Sequence, residues 1–397
     1  MQWCSEVSIA PSFVDALAEA ATGVRRKLGV VAPDVVFAFA SPHHREHFDV
    51  LAETIADACG APVVFGCSGG GVIGGEREVE RKPALSLVAA ILPGVQLRAV
   101  HCSPEELGDR DGARDDWHAR LGMGPDDVEA LITMLDPFSC EPAPLLRQLD
   151  LALPTSAIVG GVASGGQNAG EVALFADGLC HRSGMIALAM GGNLRVDTLL
   201  AQGCRPIGEP MFVTRAEAGM AYELDGRVSA KVLQELYERS SPPDRQRMRS
   251  ALFLGVVMEA GHERYRTGDF LVRNIVGLDA RTGGLAVTSA LLRGMVVQFH
   301  VRDAETSAND LARQLTAARG EGVRPNGALM FSCLGRGQGL YGRPDFDLEA
   351  IRDTFGELPI GGFFGNGEIG PLGHHRGRTF MHGYTTALAM FSRRHVD

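Results

Sequence analysis

Short continuous apolar runs alternate along the chain with stretches whose apolar residues fall three or four apart. That is the pattern of buried strands followed by amphipathic helices. Val35–Ala40 (VVFAFA), Leu131–Leu135 (LITML) and Ala328–Ser332 (ALMFS) read as buried strands. Each precedes a helical pattern, HFDVLAETIADACG, PAPLLRQLDLALP or DFDLEAIRDTFGELP, that ends at Gly or Pro as a helix stop should. A second apolar run follows each helix (PVVF, SAIVG, LPIG), and then a glycine-rich loop with Gly-x-x-x-x-Gly spacing. The loops are GCSGGG (Gly66–Gly71), GVASGG (Gly161–Gly166) and GFFGNG (Gly362–Gly367). Beyond each lies one more apolar strand, LSLVAAI, MIALAM or TALAMF. The repeated unit is strand, helix, strand, glycine loop, strand.

The region between the second and third copies reads differently. PMFVTRAEAGMAYELDGRVSA predicts two strands around a turn at Asp225-Gly226, and AKVLQELYER a helix. ALFLGVVME, FLVRNIVG, LAVTSALL and MVVQFHV predict four strands, with a hairpin turn at DARTGG. DAETSANDLARQLTAARG then predicts a helix, acidic at its start and basic at its end. The fold class expected is α/β (α+β): mixed sheets packed with helices, in two related halves. The boundary between them is placed within GCRPIGEP, residues 203–210. The expected division is an N-terminal segment 1–29 and domains at 30–205 and 206–394.

Composition fits a globular chain of 397 residues, 45% hydrophobic and 22% charged. The formal net charge of −10 disfavours general affinity for nucleic acid or anionic membrane. The eight cysteines are scattered without a CxxC pair, which argues against a zinc ribbon or a thioredoxin-like centre and fits a reducing, cytoplasmic compartment. The N-terminus, MQWCSEVSIAPSF, lacks a signal peptide's basic start and long apolar run, and no apolar stretch is long enough to span a membrane.

The loops narrow the chemistry. None continues into Lys-Ser or Lys-Thr, and Glu368 follows Gly367 where a P-loop has its lysine, so a phosphate cradle is excluded. His43 and His47, four apart, lack an HExxH context, and His374-His375 reads as an exposed loop, so no metal is expected. No other cofactor is expected either. Cys67-Ser68 and Cys333 stand at strand ends, where a side chain can reach a cleft, yet neither sits in a GxSxG elbow. Small-ligand capture fits better. Asn366 or Glu368 can meet an amine or amide, Arg336 in SCLGRGQGLYG can pair with a carboxylate, and Arg273 in FLVRN needs a partner or ligand for its charge. The candidate ligand-binding set is therefore Cys67, Ser68, Arg273, Cys333, Arg336, Asn366 and Glu368.

Several stretches resemble one family. GEPMFVTRAEAGMAYELDGRVSA, GDFLVRNIVGLDARTGGLAV, VVQFHVRDAETSANDL, GALMFSCLGRG and LPIGGFFGNGEIGPLG…MHGYTTALAMF resemble the C-terminal half of the FIST domain. PDVVFAFASP and PVVFGCSGGGVIGGERE resemble its N-terminal half. The resemblance runs over roughly residues 30–394. It implies an intracellular sensory module for small ligands such as amino acids, found in the family fused to signalling output domains; no such domain is read in this chain, so a separate signalling partner is expected, with homo-oligomerisation open. Two other classes stay open: an enzyme with Cys67 or Cys333 as nucleophile, and a scaffold whose loops are purely structural.

Overall fold

The computed structural model describes residues 1–107, 113–259, 261, 264–265, 268–372 and 375–395. They form two compact units, one made of residues 1–201 and 311–397, the other of residues 202–310.

The first unit contains one motif three times. Copy one runs β1 (Gln2–Ser8), α1 (Phe13–Leu28), β2 (Val35–Ala40), α2 (Phe48–Cys59), β3 (Val64–Ser68), the hairpin β4 (Gly71–Gly74) and β5 (Arg77–Glu80), and β6 (Leu85–Ile91). Copy two repeats the order with β7 (Val95–Cys102), α3 (Ala113–Leu121), β8 (Val128–Leu135), α4 (Pro142–Ala152) and β9 (Ala157–Val162). The hairpin β10 (Leu174–Ala176) and β11 (Leu179–His181) and the strand β12 (Met185–Gly192) complete it.

Copy three opens with β13 (Arg195–Gln202), and the chain then makes the second unit. That unit holds β14 (Cys204–Glu217), β15 (Met220–Leu224), β16 (Arg227–Val228), α5 (Ser229–Arg239), α6 (Pro242–Ser250), β17 (Leu252–Val257), β18 (Phe270–Leu278), β19 (Leu285–Val287) and β20 (Val296–Arg302). Copy three resumes with α7 (Ala304–Gly320), β21 (Gly327–Cys333), a short α8 (Gln338–Tyr341), α9 (Phe346–Phe355) and β22 (Ile360–Gly365). Its hairpin is β23 (Gly367–Leu372) and β24 (His375–His382), and β25 (Thr385–Ser392) ends it. The mixed sheets and packed helices are those of the α/β class.

Each copy builds a six-stranded sheet around a parallel pair, but its hairpin goes elsewhere. The orders are β1-β6-β2-β3-β10-β11, β7-β12-β8-β9-β23-β24 and β13-β25-β21-β22-β4-β5. Copy one thus lends its hairpin to the third sheet, copy two to the first and copy three to the second. The three sheets close one another in a cycle.

The parallel pairs share a register that fixes one glycine per copy. Gly66 lies opposite Ala38, Gly160 opposite Thr133 and Gly362 opposite Met330. A Cβ at those glycines would come within 1.8, 1.7 and 1.8 Å of the carbonyl oxygen of the residue opposite. The close backbone approach therefore demands glycine at all three. Gly160, one residue before the start of the GVASGG spacing, is the second copy's counterpart.

Strand alternation sorts the packing. Phe37 and Phe39 of β2, Ile132 of β8, Val159 of β9, Phe331 of β21 and Phe363 of β22 share one interior core. The opposite faces pack on helices: Val36 and Ala38 meet Ala16 of α1 and Leu51 of α2. Leu131 and Ile158 meet Trp117 of α3 and Leu149 of α4, and Ala328 and Met330 meet Leu315 of α7 and Ile351 of α9.

In the second unit, β14, β20, β17, β18, β19 and β15 pair in that order and β15 returns to β14, closing an antiparallel barrel. Closure pairs β14 and β15, which would otherwise be open edges. Its core includes Val213, Leu254, Leu285 and Phe299, with Val232 of α5 and Met248 of α6 packed in.

Candidate functional site

Cys67, Ser68, Cys333, Arg336, Asn366 and Glu368 belong to the first unit, and Arg273 to the second. The three glycine-rich loops do converge, and they spend their polar groups on one another. Counted from Gly66, Gly160 and Gly362, the residues two further on are Ser68, Val162 and Phe364, and those four further on are Gly70, Ser164 and Asn366. The Ser164 N–H donates to Ser68 O at 3.2 Å and the Asn366 N–H to Val162 O at 3.0 Å. The third link runs through a hydroxyl: the Gly70 N–H donates to Ser164 Oγ at 2.8 Å, which donates to Phe364 O at 2.5 Å. Ser68 Oγ donates to Ser164 O and accepts from the Ala173 N–H, each at 3.0 Å. The Gly70, Ser164 and Asn366 amides are thus spent within the fold and are not free to cradle an anion. Asn366 is exposed, with its amide nitrogen donating to Ala163 O at 3.0 Å.

Cys67 is fully buried in the interior core, and burial pushes its thiol well up, opposite to an activated nucleophile. Cys333 is half-buried and its Sγ accepts from the Gly335 N–H at 3.5 Å. Glu368 is closed to solvent; Thr385 donates its N–H at 3.1 Å and its hydroxyl at 2.7 Å to Oε2. Arg273, half-buried on β18, donates to Val272 O at 3.2 Å, and burial pulls its guanidinium down to about 10.

Arg336 finds its carboxylate within the chain. It is fully buried, and its Nε and Nη2 bind Asp347 Oδ2 and Oδ1 at 2.8 and 2.9 Å, while Nη2 also donates to Tyr341 Oη at 2.7 Å. The Thr386 hydroxyl adds a bond to Asp347 Oδ2 at 3.0 Å. Burial works against the Arg336 charge, but Asp347 outweighs it and raises the pKa. Glu78 on β5 joins this cluster, accepting from the Leu348 N–H at 3.1 Å. Its carboxyl is pushed up to about 8, first by burial and then by the Asp347 charge. Glu78, Asp347 and Tyr341 escaped the sequence reading.

Residues Pro42–His47 form a 3-10 turn in which His44 is buried and His47 stacks on Phe13, ring centroids 4.9 Å apart. His374 lies outside the described residues, as does the side chain of His375. Among the described residues no group of three potential ligands could hold a metal.

A more open site stands in the second unit. β14 pairs Ile207 with Phe299 and Met211 with Val297, so Gly208, Glu209 and Pro210 together face Gln298 alone. Pro210 has no N–H for a ladder, and Gly208 takes φ +72°, a turn conformation. The Gln298 side-chain amide fixes the bulge by donating to Gly208 O at 2.6 Å. Between the bulge, α5 and the start of α6 opens a cleft of about 510 Å³. Its floor is apolar, with Ile207, Met211, Val232, Leu236 and Phe299. Its rim carries Glu209, Asp225, Glu235 and Asp244, and also Arg227 and Arg239. Arg227 Nη1 binds Glu235 Oε2 at 2.9 Å, and Asp225 Oδ1 accepts from the Phe212 N–H at 2.8 Å. Arg205 holds Asp244 below the usual carboxylate range even though partial burial opposes it. The one sequence signal for this cleft is GEP inside a strand, since Gly and Pro there mark a bulge.

Comparison with known proteins agrees with this architecture. Residues 34–227 match the FIST N domain and residues 229–371 the FIST C domain. An uncharacterised protein of Mycobacterium tuberculosis is 33% identical over 386 residues, 97% of this chain and 98% of its own. Another, from Mycobacterium bovis, is 32% identical over 391 residues, 97% of each chain. The crystal structure of cyanuric acid hydrolase from A. caulinodans aligns over 99% of this chain and 100% of its own. Its TM-score is 0.35 with 11% identity, too distant a likeness to carry any of that enzyme's chemistry here. The matched domains and the full-length relatives place the chain in the FIST family, whose domains are small-ligand sensory modules in signalling.

Proposed function

We propose that the protein senses a small amphoteric solute of the amino-acid type and reports it to a separate partner. The observation that supports this is the cleft beside the β14 bulge, with an apolar floor and both signs of charge on its rim. A volume of about 510 Å³ suits a small molecule. Arg227 and Arg239 are placed to take a carboxylate, Glu209 and Glu235 an ammonium group, and the floor an apolar side chain. The sequence reading puts the ligand at the first unit's glycine-rich loops; the sealed state of Cys67, Ser68, Arg336 and Glu368 favours the bulge cleft instead. We place the protein in a reducing, intracellular compartment, in keeping with eight free cysteines. Among the described residues no helix is long and apolar enough to cross a membrane.

A thermal-shift panel of amino acids and of carboxylates without an amine tests the proposal. A ligand at 100 times its dissociation constant stabilises the native state by about 2.7 kcal/mol. At least one amino acid is expected to raise Tm saturably in the wild type and not in Val232→Trp, which fills the cleft floor. Equal shifts in the two proteins move the ligand elsewhere. No shift across the panel at millimolar concentration removes the amino-acid reading.

A further inference from the structure

The hairpin that copy one lends to the third sheet carries a buried carboxyl. β4 pairs with β22 through Gly71, Val72 and Ile73, and β5 covers the N-terminal end of α9. The Glu78 N–H donates to Asp345 Oδ1 at 2.6 Å, and Glu78 Oε1 accepts from the Leu348 N–H at 3.1 Å. The hairpin is thus bonded to α9 on both sides of Asp347, whose two oxygens are taken by Arg336 and Thr386. Glu78 is 5% exposed, and its Oε2 and the Nη1 of Arg336 have no hydrogen-bond partner among the described residues. Two carboxyls and one guanidinium are closed in together, so ionising both carboxyls leaves one negative charge unmatched in a dry place.

We propose that the β4–β5 hairpin is a proton-binding clasp, docked on α9 while Glu78 holds a proton and loosened when that carboxyl ionises. The groups facing Glu78 fit this. α9 and its cap bring Asp345 and Asp347, and the loop after β21 brings Arg336, whose charge Asp347 already engages. α8 adds the Tyr341 hydroxyl, spent on Arg336. On the hairpin itself, Glu76 pairs with Arg352 at 3.4 Å and Glu80 Oε1 accepts from the Gln338 N–H at 2.8 Å. β22 and β25 contribute the uncharged Phe364 and Thr386. The carboxyl raised to about 8 by burial and by Asp347 is the direction a clasp of this kind needs. The inference is independent of the ligand and of the second unit.

The test is amide hydrogen exchange of residues 71–80 between pH 5 and pH 9.5, corrected for the intrinsic pH dependence of exchange. Residues 174–181, the corresponding hairpin of copy two, serve as reference. Opening releases a proton wherever the docked carboxyl holds one and the free carboxyl does not, so protection of 71–80 falls by about tenfold per pH unit up to about pH 8 and then levels off. Protection of 174–181 does not fall between pH 5 and pH 8, because its His181, held down by burial and by His101, favours opening only at low pH. Glu78→Gln, which keeps the acceptor for Leu348, flattens the response of 71–80. A parallel response of the two hairpins in the wild type, or a flat response of 71–80, overturns the proposal. So does a slope that survives Glu78→Gln. If that variant does not fold, the wild-type contrast between the two hairpins decides alone.

Discussion

Two joints of the first unit are built on one plan and solvated in opposite ways. At the joint of copies two and one, Asp49, the second residue of α2, binds Arg182 at 2.6 Å just past hairpin β10–β11. The Asp49 side chain is 78% exposed. Where the hairpin of copy one meets copy three, Asp347, the second residue of α9, binds Arg336 of the same copy, and their side chains are 1% and 0% exposed. The acids stand alike on their helices, but Arg182 follows the hairpin lent by copy two whereas Arg336 comes from copy three's own loop after β21, and the two pairs have different neighbours. Tyr341, Phe346 and the returning Glu78 seal the second joint, whereas Arg182 leans over Phe48 at 5.6 Å and stays wet. A repeated fold fixes where a charge stands. Its neighbours decide whether that charge matters.

The largest expected effect tests the sealed joint. Asp347→Ala leaves Arg336 buried and uncompensated, which costs about 3–5 kcal/mol, read as a lowered midpoint in urea unfolding. Next comes a position that all copies share. Gly160→Ala drives a Cβ onto the Thr133 carbonyl oxygen, and overpacking of this kind costs about 3 kcal/mol by the same measurement. A loss as small as that of a surface substitution breaks the claim that the register imposes these glycines.

A further effect depends on pH. Glu78 titrates near 8 in the folded protein against an ordinary 4.5, so the stability from its retained proton is complete below 4.5 and is lost between 4.5 and 8. Glu78→Gln is therefore expected to match the wild type near pH 4.5 and to exceed it at pH 8, by a gap that widens steadily through that window. Chemical denaturation at the two pH values reads the difference, and a constant offset between the proteins removes the linkage. The smallest effect belongs to the wet joint. Asp49→Ala breaks an exposed pair and costs about 0.2–1 kcal/mol, diminishing further in high salt. A loss comparable to that of Asp347→Ala would erase the contrast between the joints.

The sequence shows the centre of each copy and hides its margins. Buried parallel strands such as Val35–Ala40 are continuous apolar runs, and their helices keep a clear apolar face. β7 carries half-exposed and exposed residues in place of an apolar run, and α1, which packs through Phe13, Ala16, Ala20 and Val24, precedes the first such run and so stands outside the repeated pattern. The destination of each hairpin is hidden for another reason: Gly71 pairs with Phe364 across most of the chain, and no local spacing encodes such a partner. The surroundings of the candidate site residues are hidden on the same ground. Cys67 follows Phe65 at strand period two and so points into the interior core. Arg336 needs a partner, as any buried arginine does, but an acid on its own α9 answers it. Glycine spacing locates the three loops, yet the hydroxyl of Ser164 that ties them together is one serine among many in sequence.

The exchange of hairpins also orders events during synthesis. Only the first sheet has all its strands by His181, the end of β11. The second gains β12 soon after but lacks β23 and β24 until residues 367–382, and β4–β5 has no sheet to join until β22 emerges at Ile360–Gly365. A growing chain therefore carries an unpaired hairpin and an unfinished sheet through most of its translation. Non-local pairing of this kind is slow, and unpaired edges are open to association with other chains. Copy-by-copy folding is closed to this unit: its last strands have to leave the ribosome before the first hairpin can settle.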